Sequence, residues 1–371
     1  MKSKIMKLPI RIDLPQSFYQ QETRCNFLIT PETKALWAVL LDLLVEFDRV
    51  CKKNGLTYFL DSGTLLGAAR HKGFIPWDDD IDVIMFRSDY EKLCNVAESE
   101  FVEPYFWQTN YTDPGSTRRH GQLRNSQTTA ILKEEMKGDQ SIAAFNQGVF
   151  LDVFILDEVP DDEDELETFR QRLQWHINIL WELKTLYNRY REAWIADSLD
   201  QEMRVFDKIV TQYNNTGQSR VANMSLNPMR NVSSLFPKVY FDIGEDYPFE
   251  QFSFPCPKCT SEILTGFYGD WSQYVKGSGV HGSYFLDLQN SYRKYVQQMF
   301  VPCEEKHPLI TVFEQRNELW RECDTIKLKL KEAQECLKSE YNKSQQLESE
   351  LKRIKNTKVW KIASHLKMVK V

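Results

Sequence analysis

The sequence predicts an α+β protein that ends in a coiled-coil helix, and three stretches carry this prediction. Residues 36–50 place leucine, valine and phenylalanine at helical spacing. Residues 148–156 form a nearly continuous apolar run, which is typical of a buried strand. Residues 311–356 contain no glycine and no proline, and their apolar residues follow a heptad repeat. Helices and strands therefore share the N-terminal part of the chain, and one long helix follows.

The composition is that of a packed globular protein. The chain has 371 residues, 42% of them hydrophobic, and a formal net charge of −6, so we expect no nucleic-acid partner. Its eight cysteines are scattered, which indicates a reducing compartment and not a disulfide framework. No stretch is apolar enough to predict a signal peptide or a membrane-spanning helix. We therefore expect a cytoplasmic protein whose membrane contact is peripheral.

Changes in composition divide the chain into four predicted segments. These are an irregular N-terminal arm (1–30), a globular domain (31–300), a coiled coil (310–356) and a basic amphipathic tail (357–371). Within the globular domain, helical spacing of apolar residues predicts helices at 31–54, 88–100, 161–213 (with breaks) and 258–268. Strands are predicted at 57–60, 78–85, 105–110, 121–124, 129–133, 148–156, 238–241 and 252–254.

Three carboxylates indicate a metal site. Asp80 and Asp82 alternate with apolar residues, so their side chains are predicted to leave one strand on the same face. Asp152 lies in the middle of the most apolar run, where a buried charge needs a partner. Two carboxylates on one strand and a third on another suit two-metal phosphoryl transfer, and Mg²⁺ (or Mn²⁺) prefers such oxygen ligands. The alternatives are a solvated acidic loop, and Asp157 in place of Asp152.

The segment between the first two predicted strands offers groups that suit a phosphate. Ser62, Gly63 and Thr64 form a small-residue turn before a short predicted helix, and they can donate backbone and hydroxyl hydrogens. The basic residues that follow are candidates for neutralising a diphosphate: Arg70, His71 and Lys72. The alternative for these three is a solvated basic turn.

The stretch from Tyr58 to Asp82, which contains Asp-Ser-Gly-Thr and Trp-Asp-Asp-Asp-Ile-Asp, closely resembles the signature of the LicD family. That family, with its fukutin-related relatives, belongs to the nucleotidyltransferase superfamily. Residues 148–157 resemble its second block, and residues 268–270 resemble its terminal block. The resemblance implies a nucleotidyltransferase-like mixed β-sheet flanked by helices, and it makes residues 31–300 a catalytic domain of the LicD type.

The resemblance also implies a transfer reaction. Family members move a phospho-alcohol, phosphocholine in the best-known case and phosphoribitol in others, from a CDP-linked donor to a sugar hydroxyl, and they release CMP. The acceptor is a glycan or glycolipid of the lipopolysaccharide, teichoic acid or capsule type. In this chain Asp80, Asp82 and Asp152 would hold Mg²⁺ and carry the catalysis. Arg124 and Thr128 resemble a further family segment and would contact nucleotide or acceptor, with a strand edge as the alternative.

Two other functions stay open on the sequence alone. One is a nucleotidyltransferase that releases pyrophosphate from a nucleoside triphosphate. The other is a catalytically inactive, membrane-tethered scaffold. The set of Asp80, Asp82 and Asp152 argues against the scaffold, because a scaffold has no need of paired carboxylates in apolar strands.

The C-terminal segments predict partners and a location. The heptad repeat over 310–356 predicts a homo-oligomer. The tail carries lysines between apolar residues and resembles the segment that ends some bacterial surface-polysaccharide transferases, which predicts contact with an anionic membrane surface. We therefore expect a peripheral protein at the inner face of the cytoplasmic membrane.

For two further features the sequence favours a structural role over a functional one. His281 lies in a glycine-rich loop and is expected to be a surface residue, with proton transfer or phosphate contact as the alternative. Cys256 and Cys259 form a lone C-x-x-C, which indicates two reduced thiols more readily than a zinc site.

Overall fold

The computed structural model describes residues 7–114, 116, 118–132, 145–190, 192–225, 235–275, 284–295 and 308–358. The chain divides into two units, Met1–Glu305 and Lys306–Val371. His281 and the basic tail from residue 359 onward lie outside the described residues, so the expectations for them stay predictions.

The first unit alternates short strands with helices. Its strands are β1 (Glu22–Arg24), β2 (Phe27–Ile29), β3 (Phe59–Leu60), β4 (Asp82–Phe86), β5 (Tyr105–Gln108), β6 (Gly121–Asn125), β7 (Thr129–Leu132), β8 (Val149–Val159), β9 (Arg220–Ala222), β10 (Phe236–Pro237), β11 (Glu245–Phe249), β12 (Phe252–Cys256) and β13 (Tyr284–Asp287). Its α-helices are α1 (Pro31–Asn54), α2 (Ser62–Leu66), α3 (Arg87–Glu100), α4 (Glu163–Tyr190), α5 (Ala193–Val210) and α6 (Thr260–Tyr268). A π-helix (Gly67–His71) continues α2, and 3₁₀-helices form at Gln16–Tyr19 and Lys238–Phe241.

A seven-stranded mixed sheet forms the centre of the first unit. Strands β10, β9, β8, β4 and β3 are neighbours in that order, and β6 pairs with both β8 and β5. Strand β8 runs parallel to β4 and antiparallel to β6 and β9. This sheet with its flanking helices confirms the predicted mixed α+β fold, and the predicted long C-terminal helix is present as well.

Strand β8 lies inside the sheet, and apolar side chains are buried on both of its faces, for example Val153 on one and Phe154 on the other. Leu151 and Val153 are fully buried, and β8 has a paired neighbour along its whole length. The β4–β8 register places Asp82 directly opposite Asp152. Side chains that are opposite each other in a sheet share one face, so two carboxylates leave the sheet at the same point.

Helix α1 packs against β8 and β6 and supports the sheet. It begins after Thr30, whose Oγ1 accepts a hydrogen bond from the Thr33 backbone N–H (3.3 Å). It ends at Gly55, which takes the left-handed conformation (φ 63°) that favours glycine. Trp37 and Leu40 are among its many buried residues. The helix bounds and the cap were therefore predictable from the sequence.

The N-terminal arm is not irregular, contrary to the prediction. Strands β1 and β2 form an antiparallel hairpin across Cys25 and Asn26, which have φ angles of 51° and 58°. Phe18 and Ile29 from this region are buried in the main core. The two strands have only three residues each, so an alternation of apolar and polar residues could not show in the sequence. The available sequence signal for the turn was Asn26, because asparagine tolerates a positive φ.

Two strand predictions need correction. Strand β10 ends at Pro237, and residues 238–241 form a 3₁₀-helix instead of a strand. Within this helix Val239 is exposed and Phe241 is buried. The predicted strand 78–85 begins only at Asp82, so Asp80 lies in the segment before β4 and not within the strand.

The second unit is described as a single helix, α7 (Pro308–Lys355), of 48 residues. Apolar side chains at the predicted heptad positions are half exposed or more: Ile326, Leu330, Leu337, Leu347, Leu351 and Ile354. In the described part of the chain, no helix combines the length and the apolar character needed to cross a bilayer. The helix is therefore confirmed, and its pairing into a coiled coil stays a prediction.

Candidate active site

Backbone hydrogen bonds fix the facing carboxylates Asp82 and Asp152. The backbone N–H of Asp152 donates to the carbonyl of Ile81 (2.9 Å), which extends the β4–β8 pairing by one residue. The backbone N–H of Asp82 donates to Oγ1 of Thr64 (2.9 Å), and its carbonyl accepts from the N–H of Asp61 (3.0 Å). Thr64, predicted to bind phosphate, is thus a buried residue that positions Asp82.

Asp78, Asp79 and Asp80 form an acidic cluster next to this pair. One carboxylate oxygen from each lies within 4.8 Å of the others, and the described residues contain no second group of this kind. Nε1 of Trp37 donates to the carbonyl of Asp78 (2.8 Å) and anchors the start of the cluster. A Cβ atom on Gly63 would lie 2.9 Å from Oδ2 of Asp78. The predicted phosphate turn therefore packs directly against the acidic cluster, and glycine is needed for that approach.

Burial raises the pKa of several of these carboxyl groups, and neighbouring negative charge raises it further at Asp78 and Asp82. Burial and the neighbouring charge of Asp80 raise the pKa of Asp78 to about 9. Burial, followed by the charges of Asp80 and Asp152, raises the pKa of Asp82 well above its usual range. Burial raises the pKa of Asp61 to about 6. Carboxylates held this close ionise together only when a cation neutralises them.

This set of donors fits a hard divalent cation. All of its ligand atoms are carboxylate oxygens, which Mg²⁺ and Mn²⁺ prefer. The predicted ligands Asp80, Asp82 and Asp152 lie close enough to interact electrostatically. The group at metal-ligand spacing among the described residues, however, is Asp78, Asp79 and Asp80, and it does not include Asp82 or Asp152. The residues present therefore suit the predicted magnesium, although their assignment as ligands stays a prediction.

A cleft of about 500 Å³ opens beside the acidic cluster. Its walls come from the turn, the acidic segment and the terminal block that the sequence analysis singled out, and they include Ser62, Gly63, Arg70, Trp77, Asp78, Asp80, Asp82, Tyr268, Asp270 and Trp271. Ser62 adopts a left-handed φ of 49°, and its Oγ donates to Oδ2 of Asp61 (3.1 Å). Segments that are about 200 residues apart in the sequence thus meet at one cleft.

The predicted basic turn is divided between the cleft and the surface. Arg70 lines the cleft, but its Nη1 donates to the carbonyls of Trp271 and Gln273 (both 2.8 Å). Burial and the charge of Arg70 lower the pKa of His71 to about 4, so this imidazole is neutral at pH 7. Lys72 is exposed and does not line the cleft. Of the three predicted counter-charges, only Arg70 brings a positive charge to the cleft.

Two side chains that the sequence analysis did not single out hold Asp152. Nε2 of His120 lies 3.0 Å from Oδ1 of Asp152, and Nε2 of Gln122 donates to the same oxygen (2.5 Å). Burial raises the pKa of Asp152, but His120, Arg118 and Gln122 outweigh it and keep that pKa below its usual range. Burial lowers the pKa of His120. An ionised Asp152 therefore accepts a hydrogen bond from a neutral imidazole at pH 7.

Arg124, predicted to contact substrate, lies behind Gln122 and not at the cleft. Its side chain is 1% exposed, and Nη2 donates to Oε1 of Gln122 (2.5 Å). Nε donates to Oε1 of Gln108 (2.6 Å), and Nη1 donates to the carbonyl of Gly148 (2.7 Å). Because Oε1 of Gln122 faces Arg124, the amide nitrogen of Gln122 must face Asp152. The geometry makes Arg124 a positioning residue for Asp152.

Thr128 and the two cysteines also lie away from the cleft. Oγ1 of Thr128 donates to the carbonyl of Asn125 (2.8 Å) and accepts from the N–H of Val149 (2.9 Å), so it fixes the start of β8. Cys256 and Cys259 form no disulfide, and burial raises the pKa of Cys256 to about 12.

The alternative carboxylate, Asp157, is engaged in a buried ion pair. Nε and Nη2 of Arg87 donate to its two oxygens (2.9 and 2.6 Å), and Nδ2 of Asn214 donates to Oδ1 (2.6 Å). Both oxygens are therefore occupied by protein donors. This arrangement agrees with the preference for Asp152 as the third carboxylate of the site.

The only sequence signal for His120 and Gln122 was an alternation of polar residues along one predicted strand. Arg118, His120, Gln122 and Arg124 occupy alternate positions at and before β6, and side chains at alternate strand positions share a face. The β6–β8 register then places Gln122 opposite Asp152. The alternation alone does not indicate which strand this face meets, so the sequence could not join His120 and Gln122 to Asp152.

Comparison with known proteins identifies relatives of this site. Residues 55–137 match the family model described as LicD/FKTN/FKRP, nucleotidyltransferase domain. The matched range contains Asp80, Asp82 and the predicted binding residues from Ser62 to Thr128, whereas Asp152 lies beyond it.

Three curated relatives differ in how much of the chain they share. The lipopolysaccharide cholinephosphotransferase LicD of Haemophilus influenzae is 28% identical over 249 residues, which cover 63% of this chain and 88% of that protein. The human ribitol 5-phosphate transferase FKRP is 48% identical over 64 residues, which cover 16% of this chain and 13% of that protein. An uncharacterized protein of Rickettsia prowazekii is 38% identical over 73 residues, which cover 20% and 25%.

Two of these relatives are named as transferases of a phosphate-linked group. Residues 55–137 therefore match the nucleotidyltransferase domain of the LicD/FKTN/FKRP family, and the two relatives that are named by an activity are phosphotransferases.

Proposed function

We propose that this chain transfers a phospho-alcohol from a CDP-linked donor to a sugar hydroxyl of a cell-surface glycan, with Mg²⁺ or Mn²⁺, and releases CMP. We favour phosphocholine, because the relative that shares 249 residues with this chain is a lipopolysaccharide cholinephosphotransferase. The pairing of Asp82 with Asp152 across β4 and β8, beside an acidic cluster and a cleft, carries the proposal. Such carboxylates suit metal-dependent phosphoryl transfer.

The metal would supply one part of the chemistry and the chain the rest. Mg²⁺ held by Asp80, Asp82 and Asp152 would neutralise negative charge on the diphosphate of the donor. Asp152 is ionised at pH 7, so its carboxylate can accept the proton of the attacking hydroxyl. His120 and Gln122 hold one oxygen of Asp152 and so restrict the orientation of this base.

The cleft residues would bind the donor. Ser62 and Gly63 line the cleft beside the acidic cluster and can offer hydroxyl and backbone donors to phosphate oxygens. Tyr268 and Trp271 line the same cleft and offer aromatic faces to a nucleobase or to the quaternary ammonium of choline. Arg70 lines the same cleft and supplies positive charge there.

A turnover screen tests this function directly. The purified chain is incubated with Mg²⁺ and CDP-choline, CDP-ribitol, CDP-glycerol or CDP-ethanolamine, and CMP release is measured. We expect release from at least one donor, loss of release with a chelator, and a loss on the order of 10³-fold in Asp82→Asn. Asp197→Asn, an exposed aspartate on α5, is the matched control and should retain full activity. Full activity in Asp82→Asn would refute the proposed role of this carboxylate.

The same assay separates the two alternatives. A nucleotidyltransferase would release pyrophosphate from CTP and would leave the CDP-alcohols unchanged. A scaffold would bind neither Mg²⁺ nor any CDP-alcohol in calorimetry. Either result would replace the proposed transfer reaction.

We further propose that α7 joins copies of the chain and that the basic tail contacts an anionic membrane at the inner face of the cytoplasmic membrane. The exposed heptad side chains of α7 support the first part, because apolar seams of this kind are buried in coiled coils. The variant Leu330→Lys with Leu347→Lys should lower the molar mass measured by light scattering. Removal of residues 357–371 should abolish binding to vesicles that contain anionic lipid. An unchanged mass or unchanged vesicle binding would contradict the respective proposal.

A further inference from the structure

Arg70 lines the cleft, but the protein itself uses most of its hydrogen-bond donors. Its Nη1 donates to the carbonyls of Trp271 and Gln273 (both 2.8 Å), and its Nε donates to Nε2 of His71 (3.0 Å). The guanidinium carbon also lies 5.1 Å from the ring centroid of Tyr274. Of the three guanidinium nitrogens, Nη2 is the one without a hydrogen bond to a described residue. Little of the fork is therefore left for a phosphate group.

The imidazole of His71 orients this fork. Burial and the charge of Arg70 lower the pKa of His71 to about 4, so at pH 7 its Nε2 carries a lone pair and accepts from Nε of Arg70. The ring of His71 lies 5.4 Å from the ring of Tyr274, over which the guanidinium lies. Two side chains thus fix the direction of Arg70 toward the carbonyls that it binds.

These carbonyls belong to the loop that follows α6, which we call the 269–275 loop. Oδ1 of Asp270 accepts from Oγ of Ser272 (2.6 Å), and Oδ2 accepts from Nε2 of Gln273 (2.8 Å), so Asp270 shapes the loop from within. Among the described residues, the two hydrogen bonds from Arg70 are the ones that join residues 270–275 to a distant part of the chain. Arg70 therefore ties this loop to a segment 201 residues before Trp271.

The same loop lines the cleft. Trp271 and Gln273 border the cleft of about 500 Å³ together with Asp78, Asp80 and Asp82. Trp271 is half-buried and packs against the main core, whereas most of the loop is exposed. A metal with the diphosphate of the donor suits the acidic side of the cleft. The indole ring is then left for another group of the donor, a nucleobase or an alcohol, and its position depends on the loop.

We propose that Arg70 is a positioning residue that holds the 269–275 loop as a wall of the donor cleft, and that it acts on the reaction through Trp271 and not through the diphosphate. This inference rests on the proposed function. It differs from the counter-charge role that the sequence predicted for Arg70, because the side chain binds backbone carbonyls and a neutral imidazole. One guanidinium thus joins the signature segment to the wall that follows the terminal block.

Hydrogen exchange tests this tie without any substrate. Peptides that cover residues 269–275 are compared by mass spectrometry in the wild type and Arg70→Gln. We expect exchange in this loop to become roughly tenfold faster in Arg70→Gln, because local opening no longer breaks the two hydrogen bonds from the guanidinium, and exchange elsewhere to stay unchanged. Arg172→Gln, the same substitution at an exposed arginine of α4, is the matched control and should exchange like the wild type. Equal exchange of the loop in the wild type and Arg70→Gln overturns the proposal.

Kinetics with the fastest of the four screened CDP-alcohols test the route through Trp271. Arg70→Gln should raise KM for the donor roughly tenfold with kcat nearly unchanged, because a binding wall is displaced. Arg70→Lys keeps the charge but lacks the planar fork, so it should show most of this rise. Trp271→Ala should raise KM as well. Adding Arg70→Gln to Trp271→Ala should then raise KM by less than about twofold more, because both substitutions remove the same wall.

Three kinetic results would overturn the proposal. Wild-type KM in Arg70→Lys would show that the donor needs only the charge. Effects of Arg70→Gln and Trp271→Ala that multiply would show that Arg70 contacts the donor directly. Wild-type KM in Trp271→Ala would show that the loop is no part of the donor site. A wild type that turns over none of the CDP-alcohols refutes the proposed function instead, and the exchange comparison then still decides whether Arg70 holds the loop.

Discussion

Replacing Asp78 by asparagine should stabilise the metal-free protein, and the gain should grow as pH rises. Asp78 is 6% exposed, and burial together with Asp80 raises its pKa to about 9. In the unfolded chain its pKa is about 3.9. Below about pH 4 both states hold the proton, so the group costs nothing. As pH rises toward 9, the folded chain retains a proton that the unfolded chain releases, and the free energy of unfolding falls.

The size of this effect follows from the two pKa values. Between pH 4 and pH 7, the wild type should lose on the order of 4 kcal/mol of unfolding free energy through Asp78 alone. Asparagine has nearly the same shape and no titrating proton, so Asp78→Asn should escape this loss. For a domain of this size, 1 kcal/mol corresponds to about 2–4 °C in Tm. The variant should therefore melt several degrees above the wild type at pH 7, and near the wild-type temperature at pH 4.

Thermal unfolding with a chelator at pH 4, 5.5, 7 and 8.5 measures the difference, and Asp197→Asn serves as the exposed control. Mg²⁺ should then reverse the order at high pH, because a metal that binds ionised carboxylates stabilises the wild type more as protons leave. Parallel pH profiles for the wild type and Asp78→Asn would refute the reasoning. Such profiles would mean that Asp78 does not retain its proton in the folded chain between pH 4 and pH 7.

Two further substitutions separate positioning from structural roles. Arg124→Lys removes the guanidinium fork that orients Gln122, so kcat for CMP release should fall about tenfold or more, while KM for the CDP-alcohol changes less than about threefold. A lower unfolding free energy with unchanged kcat per folded molecule would show that Arg124 has a purely structural role. Asp157→Asn leaves Arg87 without its anion and should lower the unfolding free energy by about 3 kcal/mol in urea titrations, with kcat per folded molecule nearly unchanged. Loss of Mg²⁺ affinity in Asp157→Asn would instead make Asp157 part of the metal site.

The sequence predicted the parts of the site that depend on short-range spacing. A single aspartate in an apolar run is a pattern that a strand places on one face, whereas the alternation of Asp80 and Asp82 was misleading because β4 begins only at Asp82. The paired register of Asp82 and Asp152 agrees with that expectation. The caps of α1 were predictable for the same reason, since Thr30 and Gly55 act within one helical turn of themselves.

The roles of the basic residues were not predictable, because they depend on contacts across the sheet. Arg124 and Arg118 are six residues apart on one face, yet the first bonds to three protein acceptors and the second bonds to no described residue. The sequence shows that both residues are positively charged, but it does not show which of them has protein acceptors. Only the position of Gln108 and Gly148 around Arg124 decides that its donors are consumed inside the protein.

Strand β8 carries two aspartates in different surroundings, the proposed metal ligand Asp152 and the ion-paired Asp157. Asp152 and Asp157 are five residues apart, an odd separation that sends their side chains to opposite faces of the strand. Both oxygens of Asp157 accept hydrogen bonds from Arg87, so this carboxylate has little capacity for a metal. On Asp152, Oδ1 accepts from His120 and Gln122, whereas no hydrogen bond to Oδ2 is present among the described residues. The first oxygen fixes the orientation, and the second is the atom that can meet a metal ion or the proton of a hydroxyl. The same chemical group thus has both oxygens bound by protein donors at position 157 and one oxygen without a described donor at position 152, which is why the proposed chemistry falls on Asp152.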